Sequence, residues 1–176
     1  MPHSQLSKTM STTVHVIILM GAAGAGKSTV GRQLANELGW WYVDGDDFHP
    51  AANLDKINHN LPLTDEDRRP WLEHLRTALT GWVTSGTYVV LACSLLKAVH
   101  RARVLGHTKG HVRIAYLKAD RPLLKRRLLD RTDHVMKVDL LDSQLETLEE
   151  PMDALFLDAS EPPQRLVQRI LDAFEL

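Results

Sequence analysis

The sequence is short of several features that mark large classes of protein. It holds a single cysteine, Cys93, among 176 residues, which excludes an internal disulfide and a cysteine-built zinc site. Neither sign of charge is in excess, since 21 Lys and Arg stand against 22 Asp and Glu. This balance argues against a protein that holds nucleic acid or an anionic membrane by bulk charge.

Long apolar runs are missing as well. The longest, Val16–Met20, has the length of a strand and falls far short of the roughly 20 apolar residues that span a bilayer. Residues 1–13 are polar and lack the apolar core of a signal peptide, which predicts a flexible N-terminal extension and a cytoplasmic protein. Residues 14–176 have the length of a single domain.

Apolar runs of strand length alternate with stretches of helical periodicity. Strands are predicted over 14–20, 40–43, 87–92, 112–117 and 154–157, and helices over 27–38, 50–59, 95–105, 121–131 and 163–174. A further helix is predicted to start at Thr64 and either to kink or to restart at Pro70. The alternation predicts an α/β fold with a five-stranded parallel sheet and helices on both faces.

A glycine-rich motif follows the first predicted strand. Residues 21–28 read G-A-A-G-A-G-K-S and match the P-loop pattern G-x-x-x-x-G-K-[ST]. A triphosphate needs backbone N–H groups that point inward, and glycine lets the chain wrap that tightly. The next helix directs its positive dipole end at the phosphates, Lys27 reaches the β- and γ-phosphates, and the Ser28 hydroxyl can ligate Mg²⁺. The motif therefore predicts a nucleoside triphosphate site.

Two carboxylates come directly after the second predicted strand. Asp44 lies seventeen residues after Lys27, and Asp46 follows it by two. The carboxyl ends of parallel strands meet at one edge of a sheet, so both carboxylates are expected to face the phosphates. We assign Asp44 to the magnesium ion and Asp46 to the proton of an attacking hydroxyl, although the residues alone also allow the reverse. A turn stabilised by aspartate side chains is the structural alternative.

The segments around these carboxylates resemble the P-loop gluconate kinases. The likeness rests on D-G-D-D-F-H-P at 44–50, on Asn53 and Lys56, and on P-L-T-D-E-D-R-R-P-W-L at 62–72. It continues in shorter matches at 93–97, 127–134 and 140–149. The resemblance implies a three-layer, adenylate-kinase-like P-loop kinase fold with a small lid. It also implies ATP with Mg²⁺, transfer to the 6-hydroxyl of D-gluconate, and a homodimer.

The resemblance also implies an acceptor pocket built by His49, Arg68 and Lys97, together with Asp46. Gluconate is a polyhydroxylated anion, so its pocket needs a cation and several hydrogen-bonding groups. Arg68 suits the carboxylate because its guanidinium makes two parallel hydrogen bonds. The alternatives are a turn histidine, a surface ion pair of Arg68 with Asp65 or Asp67, and a solvated helix residue at 97.

Two arginines, Arg127 and Arg131, lie four residues apart and therefore share one helix face. We predict that they close over the transferring phosphoryl group, Arg131 as a catalytic residue beside Lys27 and Asp46. The polar segment 131–144 is predicted to be a mobile lid, with a docked helix as the alternative, since leucines recur in it at helical spacing. The predicted nucleotide-binding residues are Gly21, Ala22, Ala23, Gly24, Ala25, Gly26, Lys27, Ser28, Thr29, Arg127 and Arg131.

The sequence departs from the pattern of the gluconate kinases at several positions. Leu95 stands where a small residue is usual, Ala102 where an acid is usual, and residues 133–138 differ from the usual lid sequence. Two other functions therefore stay open beside gluconate phosphorylation. One is another small-molecule kinase, similar to shikimate kinase, and the other is a catalytically weak ATP-binding regulator.

Overall fold

The computed structural model describes residues 13–130 and 137–176. Five parallel strands form one sheet in the order β2-β3-β1-β4-β5. The strands are β1 (Val16–Met20), β2 (Trp41–Asp44), β3 (Val89–Ala92), β4 (Val112–Lys118) and β5 (Leu155–Asp158). The helices are α1 (Lys27–Leu38), α2 (Ala51–Asn58), α3 (Asp65–Ser85), α4 (Ala98–Leu105), α5 (Arg121–Leu129), α6 (Lys137–Thr147) and α7 (Pro163–Phe174). Short 3₁₀ helices cover Gly45–Phe48 and Gly106–His111.

The central strand β1 separates two hydrophobic cores, because successive side chains of a strand point to opposite faces. Ile17 and Leu19 pack with the buried faces of α1, α5, α6 and α7. Val16, Ile18 and Met20 pack on the other side with α3 and α4. All five β1 side chains are fully buried. The predicted α/β fold, a parallel sheet covered by helices on both faces, is confirmed.

The structure differs from the sequence prediction in three helices. The helix predicted from residue 95 begins at Ala98, because Leu95 has a left-handed backbone with φ of +39°. Of the two alternatives predicted at Pro70, the restart is wrong, since α3 runs unbroken from Asp65 through Pro70. A proline there removes one backbone hydrogen bond, to the carbonyl of residue 66, and both residues are exposed. Helix α6 was predicted only as an alternative to a lid.

The strand order reverses at β1, since β3 lies on one side of it and β4 on the other. In open parallel sheets, ligands bind at such a switch point, outside the carboxyl ends of the strands. The P-loop begins there directly after Met20, and Asp44 and Ala92 end the two strands beyond β1. Within the described ranges, no helix combines the length and apolarity that a membrane span requires.

Candidate active site

The P-loop depends on glycine at two points of its turn. Gly24 and Gly26 have left-handed φ values of +86° and +101°, which other residues adopt only under strain. Gly26 is the N-cap of α1 and supplies no side chain to the N–H groups of the first turn. Those N–H groups have no intrahelical partners, so this end of the helix suits an anion.

The Lys27 ammonium folds back over its own loop. Its Nζ donates to the carbonyl oxygens of Gly21 at 2.9 Å and Ala22 at 3.0 Å. Neighbouring Ser28 and Thr29 lie in the first turn of α1, with Thr29 exposed. Residues 21–29 therefore form one continuous segment that follows the end of β1.

Two further elements hold the P-loop in place. Arg127 of α5 donates to the carbonyl oxygens of Gly24 and Ala25 at 3.4 and 3.3 Å, and to that of Ala159 at 2.7 Å. From α6, Gln144 accepts a hydrogen bond from the backbone N–H of Ala23 at 2.8 Å. Arg127 thus lies beside the nucleotide loop, and its binding to the nucleotide stays a prediction. Gln144 lies in the segment 140–149 of the family resemblance, and no role was predicted for it.

The predicted lid is described only in part. Arg131 and the residues up to 136 lie outside the described residues, so the role of Arg131 stays a prediction. Residues 137–144 belong to α6, in which Leu141 is fully buried. This part of the segment matches the docked-helix alternative.

The two predicted magnesium ligands, Ser28 and Asp44, both hydrogen-bond the side chain of Tyr42. The Tyr42 hydroxyl lies 3.4 Å from Oδ2 of Asp44 and also hydrogen-bonds the Ser28 side chain. Burial raises the pKa of Tyr42, and the negative charge of Asp44 adds to this, so the phenol stays protonated. A hydroxyl and a carboxylate oxygen that share one hydrogen-bonding partner suit Mg²⁺, which usually takes one or two protein oxygens and completes its shell with phosphates and water. Among the described residues, no cluster of three or more His, Cys, Asp and Glu side chains forms a metal cage.

The two carboxylates after β2 occupy different environments. Oδ1 of Asp44 caps the 3₁₀ helix by accepting from the N–H of Asp46 at 3.0 Å, so both Asp44 oxygens have protein partners. The Asp46 side chain is exposed. Burial chiefly raises the pKa of the Cys93 thiol, the charge of Asp46 raises it further, and that of Lys27 opposes this. Asp46 and Lys27 therefore act on one buried atom at the end of β3.

Gly45 lies between the carboxylates Asp44 and Asp46 and packs against Trp71 and Cys93. Its carbonyl accepts from Nε1 of Trp71 at 2.8 Å. A Cβ at this position would lie 2.7 Å from Sγ of Cys93 and 3.0 Å from the carbonyl oxygen of Ala92. The turn is therefore packed directly against the end of β3.

We expect Gly45→Ala to lower the free energy of unfolding by about 1–3 kcal/mol, because the added methyl overpacks a rigid contact. Gly81→Ala is the matched control, since Gly81 lies in α3 with nothing within 4 Å of an added Cβ. We expect that control to stabilise the protein by about 0.4–1 kcal/mol. Urea unfolding of both variants measures the difference, and equal stabilities would contradict the packing argument.

The predicted acceptor residues converge from three segments. Lys97 Nζ lies 2.8 and 2.9 Å from the two carboxylate oxygens of Asp65. Arg68 Nη1 lies 3.7 Å from the same carboxylate and donates to the carbonyl of Leu63 at 2.7 Å. His100 Nε2 lies 3.5 Å from Asp65 Oδ1. The hydrogen bond from Lys97 is the main reason that the pKa of Asp65 is lowered.

His49 joins this group from the other side. Its ring stacks on the buried Trp71 with centroids 4.6 Å apart. Burial lowers the pKa of His49, and the positive charge of Arg68 lowers it further. The structure thus brings together His49, Arg68 and Lys97, and it buries Trp71 and Leu72 in the core.

Hydrogen bonds from Arg101 and Glu149 fix the loop that carries Lys97. The buried Arg101 donates to the carbonyl oxygens of Leu95 and Leu96 at 3.0 and 2.9 Å. Glu149 donates its backbone N–H to Leu96 and accepts from the N–H of Ala98 at 2.8 Å. These contacts keep the left-handed turn at Leu95 in place despite the large side chain there.

Sequence reasoning missed several residues of this site. Tyr42 could have been found, because it lies two residues before Asp44 and so shares its face of β2. Asp65 was predicted only as an alternative ion-pair partner of Arg68, and His100 was not assigned to the site. Their contacts join residues far apart in the chain, which local patterns do not reveal.

Comparison with known proteins places this site in a family. The AAA domain family model matches residues 16–155. The chain is 34% identical to the thermoresistant gluconokinase of Escherichia coli (strain K12) over 94% of this chain and 98% of that protein. It is 40% identical to a probable gluconokinase of Xenopus tropicalis, over 77% of this chain and 79% of that protein.

Solved structures give the same result. A gluconokinase from Sinorhizobium meliloti 1021 superposes with a TM-score of 0.81 at 33% identity, covering 94% of this chain and 93% of that one. A shikimate kinase from Aquifex aeolicus superposes with a TM-score of 0.58 at 18% identity, covering 91% of this chain and 96% of that one, which shows a shared fold alone. On the sequence identities and their coverage, this chain belongs to the gluconokinase family.

Proposed function

We propose that this protein transfers the γ-phosphoryl group of ATP to the 6-hydroxyl of D-gluconate. The observation that supports the proposal is that Lys27 of the P-loop and the Asp46 carboxylate both lie near enough to the buried Cys93 thiol, at the end of β3, to shift its pKa. Cationic and hydrogen-bonding residues that suit a sugar acid lie next to them, with His49 three residues after Asp46 and beside Arg68. Nine-tenths of the chain matches a gluconokinase in sequence.

The residues divide the work of this transfer. The P-loop amides and Lys27 hold the β- and γ-phosphates, and Arg127 steadies the loop. Ser28 and Asp44 would hold a magnesium ion, which neutralises phosphate charge when bound. Asp46 takes the proton of the 6-hydroxyl, because its carboxylate is exposed and lies two residues after the proposed magnesium ligand Asp44. A bond forms between O6 and the γ-phosphorus, the bond from that phosphorus to the β,γ-bridging oxygen breaks, and ADP leaves.

A coupled assay of ADP release tests the acceptor. It compares gluconate, other aldonates, shikimate and nucleoside monophosphates at equal concentration. We expect turnover with gluconate to exceed that with the others. Strong turnover with shikimate or a nucleotide and none with any aldonate would overturn the proposal, and ATP binding without turnover on any acceptor would favour a regulator.

Arg68→Lys is expected to weaken the binding of gluconate by roughly ten- to a hundredfold, seen mainly as a higher KM. The reason is that a point charge replaces two aligned hydrogen-bond donors. The corresponding alditol lacks the carboxylate, so it should be a poor substrate that is almost indifferent to the change. Arg69→Lys is the matched control, since Arg69 is the exposed neighbour on α3. Equal penalties for gluconate and the alditol would place Arg68 in the scaffold instead.

We also propose that the protein is a cytoplasmic homodimer, as the family resemblance implies. Light scattering on the purified protein measures its mass directly. A mass of one chain across the working concentration range would contradict the dimer.

A further inference from the structure

Asn53 lies behind the predicted acceptor pocket and is almost completely buried, with 3% of its surface exposed. Its side-chain nitrogen Nδ2 has two partners. It lies 2.8 Å from the backbone carbonyl oxygen of Asp67 and 3.2 Å from Nδ1 of His49. The residue therefore connects the start of α3 to the histidine of the pocket.

The orientation of the Asn53 amide follows from the chemistry of its neighbours. A backbone carbonyl oxygen only accepts hydrogen bonds, so the amide atom next to Asp67 O must be the NH₂ group. An amide NH₂ group only donates, so its second hydrogen goes to Nδ1 of His49, which must then carry no proton. A neutral histidine without a proton on Nδ1 carries it on Nε2.

The surroundings of His49 favour the same neutral form. Burial lowers the pKa of His49 to about 4, with the positive charge of Arg68 as the second cause. The charge of Arg68 is the one that shifts this pKa. The ionisable groups on the adjoining 3₁₀ helix, on α2 and on the first three turns of α3 are Asp46, Asp47, Asp55, Lys56, Asp65, Glu66, Asp67, Arg68, Arg69, Glu73 and His74. Protonation of Nδ1 would also place an N–H against the Asn53 NH₂ group, which leaves two donors without an acceptor.

We propose that Asn53 is a positioning residue that fixes His49 as the neutral tautomer with its proton on Nε2. Its buried amide donates to Asp67 O and to His49 Nδ1, so His49 offers the pocket a hydrogen-bond donor and no charge. This inference rests on the proposed function, because it assigns the donor to a hydroxyl or carboxylate oxygen of the sugar acid.

The consequence is a division of roles within the pocket. His49 Nε2 makes no hydrogen bond to any residue of 13–130 or 137–176 in the structure, and the Arg68 guanidinium is near enough to affect it. Arg68 therefore supplies the positive charge, and His49 supplies a second, uncharged donor beside it. A charged histidine there would add repulsion from Arg68.

The first test uses the unaltered protein and needs no substrate. Nitrogen-15 NMR distinguishes the two neutral tautomers of histidine, and a titration gives the pKa of His49. We expect a proton on Nε2 and none on Nδ1 from pH 6 to 8. A proton on Nδ1 in this range, or a positively charged ring at pH 6, would overturn the proposal.

The second test replaces Asn53 with aspartate, which accepts where asparagine donates. The carboxylate attracts a proton to Nδ1 and raises the pKa of His49 towards or above its ordinary value. At pH 8 the neutral ring would then carry its proton on Nδ1, so Nε2 could not donate. We expect the KM for gluconate to rise by about tenfold or more at pH 8, because one hydrogen bond to the substrate is lost.

The pH dependence separates this role from simple loss of packing. At pH 6 the ring of the Asn53→Asp variant becomes positively charged and regains its Nε2 proton, so the KM ratio of variant to parent should fall on acidification. Asn58→Asp is the matched control, because it adds the same charge to an exposed position of α2. Its ratio should stay flat across this range.

A KM ratio for Asn53→Asp that does not change between pH 6 and 8 would overturn the inference. If the protein phosphorylates no aldonate at all, the proposed function fails, while the NMR titration still decides the state of His49. The two failures are therefore distinguishable. The NMR measurement also stands if the aspartate variant does not fold.

Discussion

Replacing Asp46 with asparagine is expected to lower kcat by about 10²–10⁴-fold while ATP affinity stays within a few-fold. The substitution keeps the shape of the side chain and removes the group that takes the proton from the 6-hydroxyl. Asp46 does not ligate the phosphates in the proposed mechanism, so calorimetry should show ATP binding close to that of the parent. Steady-state turnover with gluconate measures the loss.

Asp47→Asn is the control for this change. It removes one exposed carboxylate from the same 3₁₀ helix, and turnover should stay within a few-fold of the parent. If the Asp46 variant folds but loses ATP binding, its carboxylate belongs to the nucleotide or metal site, and Asp44 becomes the candidate base.

Lys27→Ala is expected to lower kcat by about 10²–10³-fold, the effect of removing one donor from a developing negative charge. The substitution should also lower the affinity for ATP, because the same ammonium contacts the phosphates before and during transfer. This double effect distinguishes it from the Asp46 variant. Calorimetry with ATP and turnover with gluconate give the two quantities.

The Lys27 ammonium also joins the carbonyl oxygens of Gly21 and Ala22, so its removal could loosen the loop itself. Unfolding measurements on the variant control for this effect. Lys125→Ala removes a lysine from the exposed face of α5 and should leave both ATP affinity and turnover close to those of the parent. Normal ATP affinity in a folded Lys27 variant would contradict its assignment to the phosphates.

Helices with clear end signals were predicted to the residue. Helix α1 begins after Gly26 and ends before Gly39, both of which adopt left-handed backbone conformations. Helix α7 begins at a proline, which is suited to a first helical turn. Helix α4 was placed three residues too early, because nothing in the local pattern shows that Leu95 adopts positive φ. Arg101 and Glu149 impose that turn from a distance.

The predictable part of the site is the part built from contiguous residues. The P-loop motif locates Lys27 and Ser28, and the turn after β2 locates Asp44 and Asp46. Asn53 and Gln144 belong to no such contiguous motif, since each acts through hydrogen bonds to residues on other elements. Their roles in this site follow from tertiary packing and became visible in the structure.

Because Gly45 packs on Cys93, the rate at which this thiol is chemically modified reports how often the site opens. Cys93 is the only cysteine in the sequence, and its thiol is buried and kept protonated. A thiol reagent in the solvent can therefore react with Cys93 only after the packing between Gly45 and Cys93 opens. The modification rate is then a measure of the opening frequency. Ligands that bind the closed form slow the reaction in proportion to their binding, so one unaltered side chain reports the occupancy of the site.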